Sequence, residues 1–184
     1  MSTADVTLSP YWLTENSIRQ ATQSDLSLLE WEGAYLHFRR VYARAFQRAR
    51  LGNALLWIVE YGPGILIAQL FVLLRSDADS AVADGSQRAF IHSFRVRPEF
   101  RRRGLGSWLL THVELDLHMR GFRWTYLHVA AENTAAIRFY ERKGYRRVSP
   151  VSGDWSYEDH LGIERQVHEP GWRMAKDIRM NAEG

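Results

Sequence analysis

The chain has 184 residues, 46% hydrophobic and 24% charged, which predicts one ordinary domain with a real core and argues against global disorder. It has no cysteine, which excludes a disulfide scaffold, a thiolate-ligated metal and any catalytic thiol of its own. Formal net charge is only +3, but of the 24 basic residues just Lys143 and Lys176 are lysines, leaving 22 arginines, the side chain suited to bidentate contact with phosphate.

Residues 1–15 read as an N-terminal tail and 16–184 as a single domain. The first residues show neither a basic nor an apolar leader region, and the longest apolar stretch, Gly64 to Leu74, is broken by Gln69. A bilayer span needs about 20 residues, so a soluble, cytoplasmic protein is expected, with no membrane partner. Ser17 to Ala21 suits a short strand, and Thr22 to Asp25 offers capping oxygens to a helix. Trp31, Tyr35, Phe38, Tyr42 and Phe46 follow at steps of three and four, which predicts one helical face ending at Leu51-Gly52-Asn53. That face is a core stripe, or its outer end, Trp31 and Tyr35, lines a substrate pocket. Leu55 to Tyr61 and Ile65 to Leu74 form a hairpin across Gly62-Pro63-Gly64, and Ser76 to Ser86 is a polar loop. Ala89 to Arg97 alternates as a strand with Phe90, His92, Phe94 and Val96 on one face, closed by Pro98. A helix over Leu105 to Arg120, a strand over Thr125 to Ala130, a helix over Asn133 to Lys143 stopped by Gly144, and strands through Val148 and from Trp172 to Ile178 complete the chain. Strands alternating with helices imply an α/β or α+β sheet with helices packed on it.

Charge is unevenly spread. Arg95 to Arg103 holds five arginines against one glutamate, Arg138 to Arg147 five basic residues against one glutamate, and Asp154 to Glu169 five acids against one arginine. Two basic clusters and one acidic segment predict a localised anion site, with a cationic group bound elsewhere. The anion site has a visible candidate. In FRVRPEFRRRGLGSWLL a strand runs into a basic turn, then Gly104 and Gly106, then a helix. Glycines keep side chains away from the backbone, and the free N–H groups opening the helix carry the positive end of its dipole, a cradle for pyrophosphate. In the later segment AENTAAIRFYERKGY, Asn133 and Tyr140 lie seven residues apart and so share a helix face, although a cap and a core ring account for them equally well.

Together these segments resemble the GCN5-related N-acetyltransferase (GNAT) family. Its cofactor motif R/Q-x-x-G-x-G/A is matched by Arg101-Arg102-Arg103-Gly104-Leu105-Gly106, and its N-x-x-A-x-x-x-Y-x-x-x-G-F/Y pattern by Asn133, Ala136, Tyr140, Gly144 and Tyr145. The resemblance runs from Ser17 to Val148 and implies an α+β, three-layer fold: a mixed, mostly antiparallel sheet flanked by helices and splayed at an acetyl-CoA site. It also implies acetyl transfer from acetyl-CoA to an amine. By that analogy the backbone of Phe94, Arg95 and Val96 pairs with the pantetheine arm and Asn133 bonds it. The arginines Arg101, Arg102 and Arg103 and the amides of Gly104, Leu105, Gly106 and Ser107 hold the phosphates, with Arg138, Arg142 or Lys143 as further candidates for the nucleotide. Tyr140 protonates the departing thiolate.

An alkylammonium titrates near ~10.4 and must lose a proton before it attacks, while a thiolate near ~8.5 is a fair leaving group. Without a cysteine no acyl-cysteine can form, so direct attack in a ternary complex is expected. His92 is one candidate base, at the offset of the catalytic histidine in aralkylamine N-acetyltransferases, which the segment resembles; Glu60 and water are the others. No metal is expected: on the helix bearing His112, Asp116 and His118, only the first two are four apart. The segment Ser149 to Gly171, with Trp155, Tyr157, His160 and several acids, is either an acidic, aromatic lid over a cationic acceptor or a surface excursion. A non-catalytic acyl-CoA sensor is the alternative function, opposed by the joint presence of Asn133 and Tyr140. An arginine-rich nucleic-acid binder lacks any recognisable motif. Related folds are often homodimers, and by analogy a homodimer is expected.

Overall fold

The computed structural model describes residues 16–179; the expected tail over 1–15 lies outside them. Strands β1 (Asn16–Gln20), β2 (Ala54–Tyr61), β3 (Leu66–Leu73), β4 (Arg88–Val96), β5 (Trp124–Ala130), β6 (Arg146–Val151) and β9 (Gly171–Asp177) form one sheet in the order β1-β2-β3-β4-β5-β9-β6. Every pairing is antiparallel except β4 with β5, which is parallel. Strands β7 (Asp154–Glu158) and β8 (Glu164–His168) pair as a separate hairpin. Helix α1 (Arg39–Arg50) covers one face; α2 (Leu105–Met119) and α3 (Thr134–Arg142) cover the other. This is the expected three-layer, mostly antiparallel arrangement.

The hairpin strands are buried on both faces, which their continuous apolar runs require. Leu56, Ile58 and Phe71 meet Tyr42 and Ala45 of α1, whereas Val59, Leu70, Val72 and Ile91 meet Leu109, Leu110 and Val113 of α2. No helix among the described residues is long and apolar enough to cross a membrane.

Two expectations about local structure change. The aromatic spacing predicts a helix from Trp31, but α1 begins at Arg39, and residues 36–38 form a single 3-10 turn. Trp31, Glu32 and Gly33 have φ of 46°, 55° and 95°, and three left-handed residues in succession cannot belong to a right-handed helix. Trp31 is buried, with the Arg97 guanidinium 5.1 Å from its ring centre and the Tyr35 ring 5.3 Å away edge-on. The second change is in β4. Phe71 pairs with His92 and Gln69 with Arg95, so β4 spends three residues where β3 spends two. Ser93, at φ 51°, is the extra residue of a bulge. His92 therefore faces α1, where it meets Phe71, while Phe94 and Val96 face α2 and α3.

Behind the sheet lies a buried polar cluster. The Tyr145 hydroxyl donates to Glu114 Oε1 at 2.9 Å and shares a 2.9 Å hydrogen bond with Thr125 Oγ1, and Lys176 Nζ donates to Glu114 Oε2 at 2.5 Å. One phenol thus joins the end of α3 to α2 and β5. Tyr145→Phe strips a donor from a buried carboxylate and is expected to cost about 1–3 kcal/mol. Urea unfolding measures this; a midpoint equal to that of the native chain would deny the network its role.

Candidate active site

The basic turn Arg101 to Arg103 precedes α2. Gly104 takes φ 83° as the N-cap residue, and no side chain caps the helix, so its opening N–H groups face outward unpaired by a cap. Gly106 follows, and a Cβ there would stand 3.5 Å from Phe94, 3.8 Å from Phe139 and 3.8 Å from Val96, all ordinary contacts. The protein's own packing therefore does not demand glycine at 106, and the missing side chain leaves the backbone open to close approach. Arg101, Arg102 and Arg103 are exposed around this cradle, and Arg101 Nε donates to the Val96 carbonyl at 2.8 Å, which bends its guanidinium back over the end of β4. Leu105 is a core residue, so only its backbone is available, and Ser107 is half-buried in the first turn.

Beside the cradle the sheet opens. β4 and β5 pair only from Arg88/Trp124 to Ile91/Leu127, although β4 continues to Val96 and β5 to Ala130. Among the described residues the β5-facing edge of residues 92–96 has no ladder partner, and it can hydrogen-bond an extended ligand as a further strand would. The α2 and α3 side of this slot brings the two motifs together. The Phe94 ring lies 6.0 Å from Phe139 and 6.5 Å from Tyr140, and Tyr140 lies 5.5 Å from Tyr145. Among the described residues no group hydrogen-bonds the Tyr140 hydroxyl, and burial pushes its pKa up, so it stays protonated at neutral pH. Asn133 caps α3, its Oδ1 accepting from the Ala136 N–H at 3.1 Å, which leaves its amide NH2 as a donor. Phe94, Val96, Gly106 and Tyr140 converge as expected; Arg95 contributes backbone to the slot, but its side chain passes to the α1 face.

The two candidate bases fare differently from expectation. His92 lies opposite Phe94 rather than beside it, with Nδ1 3.1 Å from Ser93 Oγ and its ring between Phe71 and Phe90. Although part of its surface is accessible, the ring lies deep in the molecule, and desolvation, helped by Arg48 and Arg95, lowers its pKa from 6.5 to about 4. It is neutral throughout the physiological range and contributes no ionisation near pH 6–7. Both oxygens of Glu60 are engaged: Oε2 accepts from Arg19 Nε at 2.9 Å and Oε1 from the Gly64 N–H at 2.7 Å. Arg19 holds this carboxyl below its usual range. His112 packs edge-on against Trp57, and Asp116 pairs with Arg120.

The β7–β8 hairpin docks on the start of α1, a contact the sequence did not reveal. Tyr157 lies 4.9 Å and Trp155 6.3 Å from the Phe38 ring, and Glu158 pairs with both Arg40 and Arg44. Asp159 accepts the N–H groups of Leu161 and Ile163 and pairs with Arg165, while Asp154 meets His168 at 2.5 Å. Asp154, Glu158 and Asp159 are thus engaged within the protein, whereas Glu164 is exposed and accepts from Gln166 Nε2 at 3.2 Å.

Comparison with known proteins bears on the family and the fold. The profile of the acetyltransferase (GNAT) family matches residues 22–145. The ribosomal protein bS18-alanine N-acetyltransferase of Salmonella typhimurium is 41% identical over 61 residues, 33% of this chain and 41% of that protein. An uncharacterised N-acetyltransferase of Methanocaldococcus jannaschii is 40% identical over 65 residues, 35% of this chain and 29% of that protein. The chain thus spans about two fifths or less of the length of these curated relatives. In solved structures, the S18-alanine N-acetyltransferase of Escherichia coli superposes with a TM-score of 0.65 at 22% identity, covering 92% of this chain and 97% of that one. Arabidopsis thaliana Naa50, in complex with the bisubstrate analogue CoA-Ac-MVNAL, superposes at 0.63 with 21% identity, covering 89% and 99%. At such identities the superpositions speak for the fold.

The depressed His92 has a consequence for stability. Between its ordinary 6.5 and about 4, the unfolded chain binds a proton that the folded chain refuses, so stability falls on acidification through this window. His92→Gln cannot titrate and is expected to lose less melting temperature than the native chain between pH 7 and pH 4.5. Equal losses would show that His92 is not held neutral by the fold.

Proposed function

The chain belongs to the acetyltransferase (GNAT) family, and from that premise we propose that it moves an acetyl group from acetyl-CoA to a primary amine, small or peptidic, by direct attack within a ternary complex. The observation that carries the reading is the convergence of an uncrowded Gly106, the unpaired edge of β4 and the Tyr140 ring on one slot. Acetyl-CoA, as co-substrate, would supply the acetyl thioester. The amides from Gly104 to Ser107, with Arg101, Arg102 and Arg103, would receive its phosphates. The edge of Phe94 to Val96 would pair with the extended arm, and the Asn133 NH2 would donate to it.

The proton balance has three movements: the nitrogen loses one proton before attack and a second as the amide forms, and the leaving sulfur gains one, so each turnover releases one proton to solvent. Tyr140 is a phenol kept protonated, so it donates to the sulfur as negative charge gathers there. On the acceptor side, Glu60 is committed to Arg19, and His92, held near about 4, is far too weak a base to strip an alkylammonium directly. The first proton therefore passes through water to bulk solvent before attack, so the acceptor reacts as its free base, with neutral His92 available to hold the connecting water. The proposal sets the reaction in the cytoplasm and includes a homodimer.

Thiol release with acetyl-CoA across polyamines, aralkylamines, aminoglycosides and peptide N-termini tests the reading. Tyr140→Phe is expected to lower kcat by about 10²-fold with little change in acetyl-CoA affinity; an unchanged kcat would remove Tyr140 from the reaction. Gly106→Glu fills the cradle and adds negative charge, so calorimetric acetyl-CoA binding should disappear. Binding at native affinity would move the phosphates elsewhere.

A further inference from the structure

Arg95 follows the bulge in β4 and is half-buried on the α1 face. Its guanidinium carbon stands 4.3 Å from the centre of the Tyr35 ring and 4.9 Å from that of Phe38, and Nη1 donates to the Tyr42 hydroxyl at 2.9 Å. Several other arginines have carboxylate partners: Arg39 has Glu30, Arg40 and Arg44 have Glu158, and Arg97 has Glu32. Among the described residues no carboxylate pairs with Arg95. Aromatic faces stabilise its charge, but they leave most of its five N–H donors unused, a cost in a partly desolvated place.

The surroundings favour an anion. Arg48, exposed and also without a carboxylate partner among the described residues, acts with Arg95 to disfavour charge on His92, and Arg95 does the same to His37. The nearby hairpin supplies rings, Trp155 and Tyr157, while its Glu158 is paired with Arg40 and Arg44 and Asp159 with Arg165. Because the cofactor slot uses the β4 backbone and the α2 face, the α1 face of the same residues is left for the second substrate. Resting on the acetyl-transfer reading above, we propose that the acceptor amine carries a carboxylate on an aromatic or apolar body, and that Arg95 receives this carboxylate through its free N–H groups against Tyr35 and Phe38. An amino acid with an aromatic side chain has this chemistry; a polyamine has the wrong sign.

Three acceptors on one frame test the proposal: phenylalanine, phenylalaninamide and phenethylamine, compared by kcat/KM per free-base amine. The acid is expected to exceed the other two by at least tenfold. Arg95→Gln should bring the acid-to-amide ratio towards one, and Arg95→Lys should recover part of it. Being a ratio within one protein, this readout is insensitive to how much of a variant is folded. A native ratio at or below one overturns the proposal, as does a tenfold ratio that Arg95→Gln leaves intact. If no amine is turned over, the transfer reading fails, and calorimetry of the CoA-saturated protein with N-acetylphenylalanine and N-acetylphenethylamine judges Arg95 separately. An Arg95-dependent preference for the acid supports the anion site; no preference overturns it.

Discussion

The site depends on one residue held in a costly backbone conformation. Ser93 at φ 51° inserts an extra residue into β4, a placement that costs about 1–3 kcal/mol for a side chain other than glycine. The fully buried Gln69 answers it from β3, its Nε2 donating to the Ser93 carbonyl at 3.2 Å. Two consequences follow together. The parity of β4 reverses, so Phe94 and Val96 turn to the α2 and α3 face while His92 and Arg95 both face α1. The parallel register with β5 also ends, leaving Ile91/Leu127 as the last pair. An unbulged strand would have put His92 beside Phe94 and kept β5 paired, closing the slot.

Tyr140 is positioned by a different constraint. It lies two turns into α3, whose end is marked by Gly144 at φ 89° and then Tyr145. Tyr145 is anchored to Glu114 of α2 and Thr125 of β5, and Lys176 of β9 completes the neutralisation of Glu114. The ring of Tyr140 packs on this fixed phenol rather than on a loop. In a low-dielectric interior such a network is strong when every member is paired, and it fixes the spacing between α3 and the cradle at the start of α2.

The sequence made legible the elements bounded by glycine or proline and long enough to show a period. The α2 helix was expected from Leu105 to Arg120 and runs from Leu105 to Met119; the β2–β3 hairpin and α3 agree equally well. The proposed cofactor slot was legible because its parts lie in short motifs on adjacent elements. The bulge was not, since Phe90, His92, Phe94 and Val96 make an unbroken alternation and an inserted serine leaves no mark on composition. Nor was the break before α1, because rings three and four apart suit a 3-10 turn as readily as a helix. The pairing of Glu158 with Arg40 and Arg44 joins segments more than 100 residues apart, and no local pattern encodes it.

That long-range pairing changes what the arginine-rich composition means. Residues of one sign clustered in sequence serve two purposes in space. Arg101, Arg102 and Arg103 stay exposed, where a phosphate can reach them and where salt screens them; their contribution to binding an anion should be strongly dependent on ionic strength. Arg40 and Arg44 are spent on holding the aromatic hairpin against α1, which neutralises Glu158. Arg95 belongs to neither group. Enclosed by rings and lacking a carboxylate partner among the described residues, it lies where screening is weakest, one strand's thickness from the cofactor slot. Positive charge on both faces of β4 would let one strand hold two anionic substrates against their mutual repulsion, the phosphates through exposed groups and the acceptor through a half-buried one.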